Sequence, residues 1–233
     1  MSVTRIDENR YELFVSEHKR DHSVLNRLHP AVLTQDHDAA VNAAAAILGV
    51  DAEAAAARLA TIERDYLVWL TAKNPELVAL PALMTMSQFE VLATLRRSIE
   101  PARTAAMLVL VLGWAQIDAR RALAVERKTQ SVWNAVARFK EDFEMVKKAF
   151  PRAPTRKELA TDPPQLTPEQ FNAVAALIRS REPAQSAARL VLVYGQGKSQ
   201  AAKEANILTQ SCWNTVQRFK RALTPIREAF PGA

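Results

Sequence analysis

The chain has 233 residues, 48% of them apolar and 24% charged, a globular balance with room for two or three small cores. No run of eighteen apolar residues occurs, the start Met1–Glu12 is too polar for a secretory signal, and the single Cys212 cannot form an internal disulfide, so a reducing, cytoplasmic setting is expected. Residues 1–80 carry 8 Lys/Arg against 12 Asp/Glu and residues 81–233 carry 23 against 13, so an acidic third precedes a basic remainder suited to a polyanion.

Only 5 glycines and many Ala-rich stretches favour helix over sheet, because glycine costs backbone entropy in a helix and alanine costs least. In residues 1–80, Asp38–Leu48 and Asp51–Thr71 read as helices separated by Gly49-Val50, with Asp51 as N-cap. Ile62, Tyr66, Trp69 and Leu70 give the second helix an apolar face. Ala45–Val50 is read as an ordinary helical hairpin and not as the start of a DNA-reading motif.

An internal repeat follows. Gln88–Gly113 aligns without gaps with Gln170–Gly195 at 16 of 26 identical positions, and Thr129–Lys140 (TQSVWNAVARFK) with Thr209–Lys220 (TQSCWNTVQRFK) at 9 of 12. The offset falls from 82 to 80 between the blocks, and both copies end in Ala-Phe-Pro, at 149–151 and 229–231. Two copies at this period are sister domains, 84–151 and 166–231, not a solenoid. The polar, Pro-rich Arg152–Gln165 between them reads as an extended linker.

Each copy reads as helices. Thr167, Pro168 and Gln170 form a capping-box start for Gln170–Ser180, whose stripe is Phe171, Val174, Leu177 and Ile178. Pro183 opens a helix to Tyr194, with Ala187, Leu190, Val191 and Tyr194 facing inward, and Gly195 and Gly197 break it. A short helix Ser199–Ala205 follows, Asn206 takes the left-handed turn, and Thr209 caps the helix Gln210–Leu223.

Lys198–Gln217 fits the spacing of a helix-turn-helix. The small residue at the close approach is Ala202, the turn residue is Asn206, and the anchors are Ile207, Cys212 and Val216. That leaves Thr209, Gln210, Ser211, Trp213, Asn214 and Gln217 to read base edges, with Arg218 beside them. The first copy supplies Gln116–Ala124 as its supporting helix, Val125, Val132 and Val136 as anchors, and Thr129, Gln130, Ser131, Trp133 and Asn134 as readers. Arg127 and Lys128 in its longer loop, with Arg138, Lys140, Lys198, Arg218 and Lys220, are the phosphate candidates. The supporting segments 114–126 and 196–208 share one residue, Ala119/Ala201, whereas the polar residues of the reading helices are nearly all shared. Packing alone would have kept both, so the pattern points to one target read twice.

Each copy resembles the KorA/TrfB-type DNA-binding domain of plasmid-encoded transcriptional repressors. The resemblance rests on Leu166–Phe171 (LTPEQF), Ala188–Gly195 (ARLVLVYG) and Cys212–Phe219 (CWNTVQRF), and on Met86–Phe89 (MSQF), Leu108–Gly113 (LVLVLG) and Val132–Phe139 (VWNAVARF) in the first copy; the two copies that carry these motifs make up more than half of the chain. It implies an all-α fold, double-stranded palindromic operator DNA as partner, dimeric binding, and a bacterial, nucleoid- or plasmid-associated location. Against that pattern the chain has two copies, no dimerisation segment after the second, and an acidic N-terminal domain in addition.

The expected architecture is therefore all-α, two tandem helix-turn-helix domains after a small helical domain, 1–80. The expected function is sequence-specific regulation of transcription, as a repressor, without cofactor, metal, membrane or enzymatic chemistry. The two copies should occupy similar half-sites about one helical turn apart. Residues 1–80 are left for a protein partner or self-association, and a DNA-bound assembly, partition or phage accessory protein is the competing reading. Gly195-Gln196-Gly197-Lys198-Ser199 lacks the upstream glycine of a phosphate-binding loop, Leu192 standing there, and is read as a chance match. His18, His22, His29 and His37 are read as surface residues, and Cys212 as a buried filler.

Overall fold

The computed structural model describes residues 8–17, 24–25, 27–28, 37–98, 102–122, 129–151 and 162–231. The fold is all-α. In chain order the helices are α1 (Glu8–Glu17), α2 (His37–Leu48), α3 (Ala52–Lys73), α4 (Met86–Arg96), α5 (Ala102–Leu110), α6 (Gln116–Ala122), α7 (Thr129–Ala149), α8 (Pro168–Leu177), α9 (Ala184–Leu192), α10 (Lys198–Glu204) and α11 (Thr209–Ala229), with a 3-10 turn at Pro75–Leu77. Among the described residues, β pairing is limited to a single bridge, Val78 to Trp114.

Two compact units result, and they do not follow the repeat boundaries expected from the sequence. One comprises residues 1–83 with 104–133, the other 84–103 with 134–233. The reason lies in α5. Six consecutive residues, Ala105–Leu110, are buried, so the helix is covered on every side. In α9 the buried set is Ala187, Ala188, Val191 and Leu192, a one-sided stripe. Where α9 carries Arg189, α5 carries Met107, and where the second copy has Gln196 the first has Trp114. The first copy's second face is thus apolar and needs a cover, which the N-terminal segment supplies.

In that unit α2 and α3 form a helical corner, bent by 104°. Gly49 sits at φ 69, and the Asp51 carboxylate accepts from the Ala54 N–H, the expected cap. Ile62, Tyr66 and Leu70 are buried with Tyr11 and Phe14; Trp69 is half-buried, its indole N–H donating to Glu17 at 2.8 Å. Trp114 is fully buried, and its Nε1 donates to Thr71 Oγ1 at 2.9 Å. Ala79 and Leu80 both donate to the Gly113 carbonyl at 2.9 Å, which pins the segment after α3 on the end of α5. No single described helix is long and apolar enough to cross a membrane.

The second unit is built around matched aromatic pairs. Phe171 of α8 stacks on Phe219 of α11 at 4.7 Å, and the equivalent Phe89 of α4 meets Phe139 of α7 at 4.8 Å. Thr85 and Thr167 each close a full capping box with Gln88 and Gln170, as the sequence predicts for the second copy. α4 packs on α8 and α11, and this draws the first repeat's opening helix into the second repeat's unit.

The linker Arg152–Gln165 falls outside the described residues except for Asp162–Gln165, and the loop 126–130 except for Thr129 and Gln130. His18, His22 and His29 are outside them as well. Tyr194, expected to face inward, is 63% exposed, and Leu190 is half-buried. α9 ends at Leu192, so residues beyond it no longer follow the helical stripe.

Candidate nucleic-acid interface

The site is clearest in the second repeat, whose parts all lie in one unit. α10 and α11 are joined by the four residues Ala205–Leu208. Asn206 stands at φ 53, the left-handed conformation that a short polar side chain tolerates best after glycine. Ile207 donates its N–H to Ala202 and Asn206 to Lys203, closing α10. Ala202 is buried, and with no more than a methyl group it lets the two helices approach closely.

The long helix α11 is two-faced. Cys212, Val216, Phe219, Leu223 and Ile226 recur at helical spacing and are buried. Burial pushes the Cys212 thiol above its ordinary range, as suits a packing residue and not a nucleophile. Ile207, the remaining expected anchor, is only half-buried. One expectation fails: Thr209 does not cap α11. It is the first helical residue, and the cap is Leu208, whose carbonyl accepts from Ser211 and Cys212 and whose side chain caps nothing. The turn after Asn206 is too short to leave Thr209 outside the helix.

On the opposite face, Gln210, Trp213, Asn214 and Gln217 stand at i, i+3, i+4 and i+7, one continuous stripe. Gln210, Trp213 and Asn214 are exposed and Gln217 is half-buried. Gln210 Nε2 donates to Asn214 Oδ1 at 3.0 Å, which orients both amides along the stripe. Trp213 is 36% exposed, with Lys198 Nζ 3.8 Å from its ring centroid. This cation–π contact fixes the indole and spends Lys198 next to the stripe instead of in a phosphate loop. Ser211 is half-buried on the flank, one turn before Thr215.

The cations divide. Lys220 donates to Asp162 at 2.5 Å, and that hydrogen bond, with the charges of Lys220 and Lys198, holds the Asp162 carboxyl below the usual carboxylate range. Arg218 turns its guanidinium to the Ile178 carbonyl at the end of α8.

In the first repeat Val132, Val136, Phe139, Phe143 and Val146 form the matching buried stripe. Trp133 is 50% exposed, and Asn134, Arg138 and Lys140 are exposed. Arg138 Nε donates to the Asn134 carbonyl at 3.1 Å. Thr129, Gln130 and Ser131 open α7; Arg127 and Lys128 lie outside the described residues. Two features escaped the sequence. Arg96 clasps the buried Asp142 through both nitrogens, with Nε to Oδ2 at 2.6 Å. The Asp142 hydrogen bonds and charge raise the basicity of Arg96 further. Arg97 and Arg179, an identical pair in the repeat, both end their helices in the left-handed conformation.

Comparison of the chain with family models, with curated proteins and with solved structures gave no match.

Proposed function

We propose that the protein binds double-stranded DNA in a sequence-specific manner and regulates transcription as a repressor of the KorA/TrfB type, with α10 as supporting helix and α11 as reading helix. The observation that carries this reading is the stripe Gln210, Trp213, Asn214 and Gln217, opposite a fully apolar face. Two amides linked at 3.0 Å retain Gln210 Oε1 and Asn214 Nδ2 for a base edge, and an Asn or Gln amide matches the N6/N7 edge of adenine. A half-exposed indole beside them offers contact to a thymine methyl or a sugar. A solvated helix face with no partner would not need an indole fixed under a lysine.

The test is a selection of bound duplexes from random DNA, followed by Gln210→Ala and Asn214→Ala. Each should cost about 1–3 kcal/mol on the selected site and little on random DNA. Failure of the selection to enrich any sequence would refute the reading. Equal losses on both DNAs would assign these amides to positioning and not to base recognition.

A further inference from the structure

The second unit contains an open groove of about 500 Å³ between the ends of α4 and α8 and the flank of α11. Its lining includes Arg97, Arg179, Arg181 and Arg218, with Glu182 as counter-charge and Arg96 already clasped to Asp142. Glu182 in turn accepts from the Ser186 N–H at 3.1 Å. Arg97, Arg179 and Arg181 are exposed, and their guanidinium groups make no hydrogen bond or ion pair among the described residues.

The backbone gives the groove its meaning. Arg97 stands at φ 52 and Arg179 at φ 49, and both close their helices in the same way: Ser98 N–H bonds to the Ala93 carbonyl and Ser180 N–H to the Ala175 carbonyl, each at 3.0 Å. This is the helix ending that glycine normally fills, since a Cβ is disfavoured there. The chain places arginine in it twice, at equivalent positions of the repeat, and the fold brings both arginines to one groove. Residues held in a disfavoured conformation mark sites where the side chain is wanted.

We propose that this groove grips the phosphodiester backbone of the DNA that α11 reads, a proposal that rests on the DNA-binding reading above. Thr215 and Arg218 lie on the groove side of α11, and Arg218 is one turn beyond Asn214. A strand bordering the reading stripe on that side would reach Arg218 and the groove that Arg97, Arg179 and Arg181 line with it. Guanidinium groups suit phosphate because their planar fork matches two oxygens at once. The groove carries affinity and register, and the amide stripe carries sequence.

Glycine substitution makes a clean test. Arg97→Gly and Arg179→Gly remove the guanidinium while relieving the backbone, so the double variant should unfold at the same temperature as the parent or higher. Its affinity should fall by the same factor on a selected site and on random duplex, and the log–log salt slope should shrink by about two units. Arg97→Lys with Arg179→Lys should restore most of the slope. A folded glycine variant with the parent's slope and affinity would overturn the groove and leave the stripe intact, with Asn214→Ala still losing discrimination. An unsubstituted protein that binds no duplex at low salt would overturn both readings, and it would do so before any substitution is made.

Discussion

Arg96 and Asp142 are a buried ion pair in one repeat, and the equivalent positions of the other repeat hold Ile178 and Ala222, both buried. The chain thus contains its own control for the worth of that pair. The Asp142 side chain is 3% exposed and that of Arg96 25%. Removing one partner leaves a charge without compensation in a poorly solvated place, a loss of about 3–5 kcal/mol for a fully buried pair. Arg96→Ile strands the more deeply buried carboxylate and should sit at the upper end. Asp142→Ala leaves a guanidinium with partial access to water and should cost about 2–3 kcal/mol. The double variant reproduces the apolar pair of the second repeat and should fall within about 1 kcal/mol of the parent, because burying both charges had its own desolvation cost. Urea denaturation of the four proteins, compared at constant m, yields the coupling. Additive losses in the double variant would refute the reasoning and mean that the pair holds its helices by geometry that Ile and Ala cannot replace.

Gly113→Ala and Gly49→Ala should separate two costs of a left-handed glycine. At Gly113, φ 73, a Cβ would meet the Leu80 carbonyl oxygen at 2.1 Å, so strain and clash together should cost roughly 2–4 kcal/mol; at Gly49, φ 69, nothing lies within 4 Å, and only the conformational term of roughly 1–2 kcal/mol should be seen in thermal melts. Burial pushes the Tyr11 phenol up to about 12 from an ordinary 10, so the folded chain holds its proton where the unfolded chain loses it. The resulting stability is complete below pH of about 10 and is lost as pH rises towards about 12, on the order of 2–3 kcal/mol, and phenolate absorbance with a parallel Tyr11→Phe titration should follow it. Asp162→Asn should free Lys220 for phosphate, tighten duplex binding and steepen its salt dependence; an unchanged slope would place Lys220 outside the DNA contact.

Local signals were legible where a single residue type answers a single backbone demand. Asp51 and Thr167 cap as their chemistry dictates, Asn206 takes the left-handed turn, and Phe171, Val174, Leu177 and Ile178 are buried as their spacing requires. Thr209 failed because a good capping residue one step inside the helix looks the same in sequence as one at its edge. The compact units failed for a longer-range reason. Met107 and Trp114 announce an apolar second face on the first repeat, but what covers it is decided by tertiary contact, here Thr71 and the turn at Leu80. Arg96–Asp142 was invisible because the partners lie 46 residues apart and carry no mark beyond being charged. Of the candidate site, the face of α11 was readable from helical periodicity, whereas the arginine groove depends on two helix ends meeting in space.

The two repeats have drifted in a direction that bears on function. Inside, they have exchanged an ion pair for an apolar pair, Trp114 for Gln196 at the cover, and Val132 for Cys212 on the buried faces of α7 and α11. Outside, Trp133/Trp213, Asn134/Asn214, Arg138/Arg218 and the strained Arg97/Arg179 are identical. Selection for stability alone keeps an interior and leaves exposed positions free, since volume changes in a close-packed interior are felt and most exposed substitutions fall within about 0.5 kcal/mol. Buried residues are kept too, among them Phe89/Phe171, Phe139/Phe219 and Val136/Val216, as close packing requires; an exposed polar set kept beside them is what a shared ligand would impose on both copies. Within 129–140 and 209–220 the kept polar residues are amides, hydroxyls, an indole and cations without a carboxylate, and that set suits base edges and phosphates better than it suits a protein partner's mixed charges.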